Sequence, residues 1–280
     1  MRDAPIGMFD SGFGGLTVAR ALIDLLPAED LTYVGDTARY PYGPKPLDEV
    51  REHAIEIGDL LVHEYGVKAL VVACNTAAAA ALDVLSERYA VPVFGVIEPG
   101  IEAMLTVTDS GRLGVIGTVG TISSGAYQQA FASAIAEAGG SQGSTDVSLA
   151  CAACPGFVEF VERGETTSDQ VHVLAERLLA PMVEAKVDAL LLGCTHYPFL
   201  ARTISDVMGR DVVLVSSADE TAFAVKRRLA DLDLLRRTSQ PGSGAGRHRW
   251  LSSGDTRWFQ EMGERLLGPE LSAVEAVAWS

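Results

Sequence analysis

The sequence predicts an α/β fold with two similar domains, each a mostly parallel sheet flanked by helices. Two stretches, 69–76 and 189–196, carry this prediction, because each is an apolar run that ends in a cysteine and small polar residues. A run that is apolar on both faces is typical of a buried parallel strand. Open α/β sheets bind ligands at the carboxyl ends of such strands. The repeat therefore suggests one site with a thiol on either side.

Further matches support the repeat. Residues 113–121 resemble 6–12, with Thr118 standing in the place of Ser11. The segments 91–94 and 211–214 keep the same separation as Cys74 and Cys194. Three matches in the same order favour two similar halves, although a length of 280 residues is also compatible with one large α/β domain.

Composition narrows the class of protein. The net charge is −15, so no basic surface for nucleic acid or an anionic membrane is expected. No apolar stretch reaches the length of a membrane span, and the first residues do not resemble a signal peptide. Four cysteines in a chain of this length do not indicate a disulfide framework, which favours the reducing cytoplasm.

The first half begins with a predicted strand, 6–9, a glycine-rich turn and a helix over 18–26. The turn is similar to a dinucleotide-binding motif, but Thr17 occupies the place of its third glycine. A tight strand-to-helix turn explains it as well. Alternatively, Asp10 and Ser11 project from the strand end towards a ligand, and Asp10 would bind an ammonium group or orient a thiol.

A second strand, 31–34, leads into a loop rich in proline, glycine and tyrosine. Such loops often carry binding contacts. Tyr42 and Gly43 would offer backbone N–H groups to a carboxylate, or the tyrosines cover the core. A helix is predicted over 48–64, with His53 and His63 on its surface or packed against a neighbour.

Cys74 precedes a predicted helix, 77–88, whose start is marked by the capping residues Asn75 and Thr76. The N–H groups and dipole of a helix N-terminus favour an anion. We therefore expect a lowered pKa for the Cys74 thiol. A strand over 91–97 follows, and 98–100 are expected to end the first half.

The second half contains predicted helices over 124–138 and 168–184 and a strand over 146–151. Cys151 and Cys154 have redox or metal spacing, but a zinc site needs more ligands and a redox pair needs a helix start, so a structural turn is favoured. Glu162 is a surface carboxylate unless its helix faces the site. The chain closes with a loop (240–246), a strand (248–252) and a helix (256–267), with Trp250, Trp258 and Trp279 as packing residues.

Five motifs in order resemble those of glutamate racemases over about residues 5–268: residues 10–18, 42–43, 73–76, 117–121 and 193–198. The resemblance implies a cofactor-independent isomerase that interconverts L- and D-glutamate, with glutamate as its small-molecule substrate, and supplies D-glutamate to peptidoglycan. It also implies one domain of 1–97 plus 210–280, a second of 98–209, and an active site in the cleft between them. No metal is expected.

The resemblance assigns roles residue by residue. Cys74 and Cys194 are similar to the acid/base thiols of the family, Asp10 and His196 to the residues that support them, and Glu162 to a weaker candidate for that support. The segment after Cys154 departs from the family at Glu159, where proline is usual. The substrate contacts implied are Asp10, Ser11, Tyr42, Gly43, Asn75, Thr76, Thr118, Thr121, Thr195 and His196.

Racemisation itself requires this kind of pair. One group removes the α-proton from one face while a second group returns a proton to the opposite face. A thiol suits both tasks, because a tuned cysteine pKa lies near neutrality. The resemblance leaves open a homodimer and the interaction with DNA gyrase ascribed to some members, neither of which this sequence tests.

Three other functions remain compatible with the residues. They are a racemase for aspartate or another small acid, a nucleotide-dependent oxidoreductase using the glycine turn, and a non-catalytic protein that closes on an amino acid.

Overall fold

The computed structural model describes residues 2–137, 147–237, 245–271 and 273–279. The chain forms two compact units, Met1–Val96 with Ala218–Ser280, and Ile97–Ser217. The second junction lies after a strand that ends at Ser216, whereas the sequence-based boundary at 209–210 falls before it. The predicted domains, as parts that fold independently, stay a prediction.

The first unit begins with alternating strands and helices. Its first strand is apolar and fully buried on both faces, as expected for the interior of a parallel sheet. The elements of this part are β1 (Ile6–Asp10), α1 (Leu16–Leu25), β2 (Leu31–Gly35), α2 (Leu47–Asp59) with a π-helical turn at Leu60–Glu64, β3 (Ala69–Val72), α3 (Asn75–Arg88) and β4 (Val93–Phe94).

The second unit repeats the alternation around its own apolar core, which includes Ile116, Phe157, Leu190 and Tyr197. Its elements are α4 (Ile97–Val107), β5 (Arg112–Gly117), α5 (Val119–Ser123), α6 (Ala126–Glu137), β6 (Ser148–Ala153), α7 (Phe157–Glu162), α8 (Asp169–Glu184), β7 (Ala189–Gly193), a 3₁₀ turn (Tyr197–Leu200), α9 (Ala201–Met208) and β8 (Val213–Ser216).

The chain then returns to the first unit. A long helix leads back, and two further strands join the sheet of that unit. The elements are α10 (Ser217–Asp231), β9 (His248–Ser252), α11 (Thr256–Leu267), a 3₁₀ turn (Gly268–Glu270) and β10 (Val274–Ala276).

The sheets confirm the predicted α/β fold with two similar parallel sets. The first sheet has the order β10-β9-β2-β1-β3-β4 and the second β6-β5-β7-β8, and every pairing is parallel. The order second-first-third-fourth thus occurs in both units. Each cysteine motif follows the third strand, which lies beside the first.

Some predicted elements are wrong in detail. The strand expected over 91–97 is only Val93–Phe94, and residues 98–100 begin α4 instead of ending a half. Pro99 lies in the first turn of α4, where its missing N–H has no partner to lose. The strand expected over 146–151 is Ser148–Ala153, and the helix over 48–64 ends in the π-helical turn.

Other predictions are confirmed closely. β9 and α11 have the predicted bounds, and α8 begins after the capping Ser168. The loop predicted at 240–246 falls mostly outside the described residues. Among the residues the structure describes, no helix is long and apolar enough to cross a membrane.

Candidate active site

Each unit places a cysteine at the carboxyl edge of its sheet. Cys74 follows β3 and occupies the N-cap position of α3, and Cys194 follows β7. β3 pairs with β1, which ends at Asp10, and β7 pairs with β5, which is followed by Thr118. The parallel register therefore brings each predicted thiol beside the polar residues predicted from the preceding motif.

In the first unit, Cys74, Ser11 and Asp10 form one buried group. The Cys74 Sγ lies 3.7 Å from the Ser11 Oγ, and all three side chains are buried. Asp10 Oδ1 accepts a hydrogen bond from the Gly12 N–H at 2.8 Å. This contact turns the chain back over the strand end and fixes the carboxylate near the thiol.

The glycine turn is required by close packing. A Cβ added at Gly15 would lie 2.6 Å from the Asp10 Cβ and 2.8 Å from the Tyr33 hydroxyl. Both distances are shorter than real Cβ contacts. The glycine therefore allows the start of α1 to approach Asp10. The close packing supports both interpretations of the motif: a tight strand-to-helix turn, and a carboxylate placed at the strand end.

The pKa of Cys74 departs from the sequence-based prediction. Burial, followed by the nearby Asp10 carboxylate, raises this pKa to about 11. Backbone N–H groups of Ala77 and Ser11 and the Ser11 hydroxyl oppose the rise. The expected lowering by the helix N-terminus is therefore wrong, because desolvation and a like charge outweigh it.

Asp36 is a residue that sequence analysis missed. It follows β2, is fully buried, and its backbone N–H donates to the Asp10 carbonyl at 3.0 Å. Its carboxylate accepts hydrogen bonds from the Tyr42 hydroxyl and from the Arg39 Nε, the latter at 2.7 Å. An aspartate directly after a buried strand was the signal used for Asp10, and it applies equally here.

This arrangement decides how Tyr42 is placed. The ring is 1% exposed and its hydroxyl is used by Asp36, so the side chain packs in the interior. Burial and Asp36 raise the Tyr42 pKa well above its ordinary value. Substrate contact by Tyr42 and Gly43 stays a prediction, and it would have to use the backbone.

In the second unit, Cys194 pairs with His196. The Cys194 Sγ and the His196 Nδ1 are 3.9 Å apart, and both side chains are buried. Burial lowers the pKa of His196 to about 4, so the imidazole is neutral at pH 7. A neutral imidazole accepts the thiol proton or donates to the thiolate, depending on its tautomer.

The hydroxyl residues predicted from the repeat also lie at strand ends. The Thr118 Oγ1 caps α5 by accepting from the Thr121 N–H at 3.3 Å, and the two hydroxyls lie 2.9 Å apart. Thr195 is buried beside Cys194, and Asn75 and Thr76 are buried in the first turn of α3.

The remaining candidates are placed differently. Cys151 and Cys154 are free thiols whose pKa values burial raises to about 11 and about 12, and Cys151 lies within β6 instead of at a helix start. Glu162 is half-buried at the end of α7, which starts at Phe157 despite the absence of a proline at Glu159. Within the described residues, no group of His, Cys, Asp and Glu is arranged to hold a metal.

The other predicted packing residues also have defined contacts. Trp250 is buried, and Trp258 packs edge-on against Phe13. Trp279 does more than pack, because its Nε1–H donates to the Asp36 Oδ1 at 2.8 Å. His53 lies against Tyr42 and His63 is exposed, in agreement with the sequence analysis.

Comparison with known proteins gives a consistent result. A glutamate racemase of Beutenbergia cavernae is 52% identical over 98% of this chain and 93% of its own length. Glutamate racemase RacE1 of Bacillus anthracis has a structure similar to this one, with a TM-score of 0.88 and 37% identity over 100% of this chain and 98% of that chain. The Francisella tularensis glutamate racemase, solved with D-glutamate, gives a TM-score of 0.87 and 31% identity over 99% and 98%.

The family profile described as Asp/Glu/Hydantoin racemase matches residues 6–225. That range includes both cysteine motifs, both first strands and the acidic and hydroxyl residues beside them. The extent of the match and the similarity over nearly the whole chain identify an isomerase: the chain belongs to the Asp/Glu/Hydantoin racemase family.

Proposed function

We propose that this enzyme interconverts L- and D-glutamate without a cofactor, using Cys74 and Cys194 as the two acid/base groups. The observation that carries the proposal is the equivalence of the two cysteines. Each follows the third strand of a unit whose first four strands have the order second-first-third-fourth. A reaction that inverts one carbon needs two such groups, one on each face. In the proposed reaction the two thiols therefore act on opposite faces of one α-carbon.

The Cys74 group suits an amino-acid substrate. Asp10 raises the pKa of the neighbouring thiol, and a substrate ammonium bound at Asp10 would offset that negative charge. Substrate binding then lowers the Cys74 pKa and favours the thiolate that removes the α-proton. The backbone N–H groups at the start of α3, a helix of 14 residues, favour the anion in the same way.

The Cys194 group holds the second proton. In one direction Cys194 donates to the carbanion and His196 stabilises the resulting thiolate through its Nδ1. In the other direction Cys194 is the base and Cys74 the acid. Because the α-hydrogen of an amino acid is weakly acidic, the site must also stabilise the developing negative charge and exclude water.

Glutamate is favoured over other small acids by the relatives. The Beutenbergia cavernae and Bacillus anthracis proteins are glutamate racemases, and the Francisella tularensis enzyme was solved with D-glutamate. We assign the substrate carboxylates and ammonium to polar groups at the strand ends: Asp10, Ser11, the backbone of Tyr42 and Gly43, Asn75, Thr76, Thr118, Thr121, Thr195 and His196. In the cell the product would supply D-glutamate for peptidoglycan.

The test is a chiral assay of purified enzyme with L-glutamate in metal-free buffer, with L-aspartate in parallel. Formation of D-glutamate without added cofactor, and faster than D-aspartate from L-aspartate, is the expected result. A preference for aspartate would establish the alternative substrate. Glutamate binding without turnover would instead support the non-catalytic alternative.

The two thiols are tested by Cys74→Ser and Cys194→Ser, with Cys151→Ser as the matched control. Each catalytic variant should lose at least about 10³-fold in racemisation, within the range for removal of a general acid–base group. Each should also retain exchange of the α-proton into deuterium oxide more with one enantiomer than with the other. Cys151→Ser should keep full activity, because this free thiol is not in either group. Wild-type exchange in either catalytic variant would exclude that cysteine.

A further inference from the structure

We propose that Trp279 is a positioning residue for the substrate loop, defined as residues 36–45, which it holds through Asp36 and Arg39. The inference rests on the proposed function, because it assigns Tyr42 and Gly43 of this loop to substrate binding.

Asp36 is the point at which three segments of the first unit meet. Its Oδ2 accepts from the Arg39 Nε and the Tyr42 hydroxyl, both within the substrate loop. Its Oδ1 accepts from the Ser253 Oγ at 2.7 Å and from the Trp279 Nε1–H at 2.8 Å. The carboxylate is fully buried, so these donors take the place of the water that would otherwise bind it.

Trp279 contacts the loop a second time through its ring. The Arg39 guanidinium carbon lies 4.3 Å from the ring centroid, within the range of a cation–π contact. Arg39 also pairs with Asp36 at 2.7 Å and with Glu56 of α2. The indole therefore contacts both members of the Asp36–Arg39 ion pair. Its N–H donates to Asp36, and its face packs against Arg39.

The segment that carries Trp279 is itself anchored. β10 pairs with β9, and the Val277 N–H donates to the Ser252 carbonyl at 2.9 Å. Ser252 in turn lies 2.7 Å from Thr37 through their hydroxyls. The indole thus follows a segment that is hydrogen-bonded to the sheet.

Solvent reaches the outer side of the indole. A cavity of about 430 Å³ is lined by Trp279 together with Glu56, Asp59, Leu60, His63, Glu64, Arg88 and Ala278. The ring lines this space, and its Nε1–H contacts the buried Asp36. Without the ring, water would compete for the carboxylate that holds Arg39 and Tyr42, and the loop would lose its fixed geometry.

The consequence for catalysis is specific. The loop contacts substrate in the proposed function, whereas the thiols are held by other elements, β3 and β7. Loss of Trp279 should therefore weaken binding of substrate and transition state alike, which raises KM and leaves kcat nearly unchanged. A merely structural role would lower the amount of folded enzyme without changing KM.

The experiment compares Trp279→Phe with Trp250→Phe. Each exchange removes one indole N–H, and Trp250 donates its Nε1–H to the Glu270 carbonyl at 3.1 Å, away from Asp36. Trp279→Phe should raise the KM for both glutamate enantiomers roughly tenfold, equivalent to one hydrogen bond to a charged group. Its kcat should stay within about twofold, and Trp250→Phe should leave KM unchanged.

Amide hydrogen exchange of the substrate loop provides a readout that does not require turnover. Exchange in 37–45 should be faster in Trp279→Phe than in wild type and in Trp250→Phe. An unchanged rate of amide exchange in Trp279→Phe would overturn the inference, whichever substrate the enzyme uses. Faster amide exchange in Trp279→Phe with an unchanged KM would overturn the link to catalysis. If the wild-type protein does not racemise glutamate but the variant still exchanges faster, only the proposed function is contradicted.

Discussion

At the scale of single residues, groups that are distant in sequence control the chemistry of the thiols. The position of Cys74 at the start of α3 is a local feature and could be predicted. Its raised pKa depends on burial and on Asp10, which only the folded sheet brings close. The local sequence therefore predicts a lowered Cys74 pKa, which is the wrong direction. It indicates the helix dipole but neither the desolvation nor the like charge of Asp10.

His196 makes the stability of the enzyme depend on pH. Its pKa is about 4 in the folded protein and 6.5 in its ordinary state, so the unfolded chain binds the proton more tightly. The stability that comes from burying a neutral His196 is fully present above pH 6.5, and it is lost as the pH falls towards 4. From about pH 7.5 to about pH 5 the loss should be about 2 kcal/mol.

Urea unfolding at the two pH values measures this effect. His196→Asn should remove about 2 kcal/mol of the pH-dependent change. Identical pH dependence in wild type and His196→Asn would contradict a buried neutral imidazole.

Residue-scale prediction was good where a motif marked a strand end. Asp10, Ser11, Cys74 and Cys194 all lie at such ends, as predicted. Asp36 is less conspicuous in the sequence than the tyrosines, glycines and prolines of the same loop. A carboxylate that follows a buried strand must find donors or solvent, and this rule would have identified it.

At the scale of elements, the equivalent positions before the two cysteines differ for a packing reason. Ala73 precedes Cys74, but a Cβ at Gly193 would lie 2.7 Å from the Ile116 carbonyl and 2.9 Å from the Tyr127 hydroxyl. The close approach of β5 and α6 to the end of β7 therefore requires glycine here.

Gly193→Ala should be strongly destabilising and should reduce activity by displacing Cys194. We expect a loss of about 1–3 kcal/mol, typical of an overpacked core. The matched variant Ala73→Gly changes the equivalent position and should cost about 1 kcal/mol through backbone entropy. Thermal unfolding and racemisation assays measure both variants. Equal, small effects would show that the end of β7 has room for a methyl group.

Predicted helices and strands are correct where the apolar pattern is clear. They are wrong where proline and glycine are compatible with both a chain turn and the first turn of a helix. β9 and α11 have apolar patterns bounded by polar residues, and their predicted limits are correct. Residues 98–100 were expected to end the first half, although Pro99 and Gly100 lie in the first turn of α4. β10 has only three residues and is stabilised by β9, so its own sequence gives little signal.

At the scale of the whole molecule, a buried ion pair joins segments that are far apart in the chain. Lys68 and Glu29 form a buried pair, and the Lys68 Nζ also donates to the Arg2 carbonyl at 2.7 Å. Glu29 accepts from the Arg236 N–H at 2.7 Å. The pair therefore connects the early strands with the returning part of the first unit.

Lys68→Met should destabilise the enzyme by about 3–5 kcal/mol, because it leaves the Glu29 carboxylate buried without its cation. Adding Glu29→Gln should recover part of the loss, since the amide carries no charge. Lys45→Met, which breaks a partly exposed pair with Glu49, should cost about 1 kcal/mol or less. Urea unfolding measures all three variants. No recovery in the double variant would show that packing, not charge, is the cause.

The two-unit plan was predictable because both halves carry the same apolar strand and cysteine pattern. The strand orders confirm this repeat. The second compact unit runs to Ser217 and so includes β8, and nothing in residues 209–217 predicts that β8 pairs with β7. Pairing partners are a property of the assembled sheet.

The interrupted course of the first unit has a consequence for biosynthesis. β2 pairs with β9, which the ribosome produces only after the entire second unit. The four-stranded sheet of the second unit can therefore form while translation continues. In the nascent chain, β2 has one edge without a partner strand until β9 has been synthesised. An unpaired strand edge of this kind is prone to aggregation until its partner strand covers it.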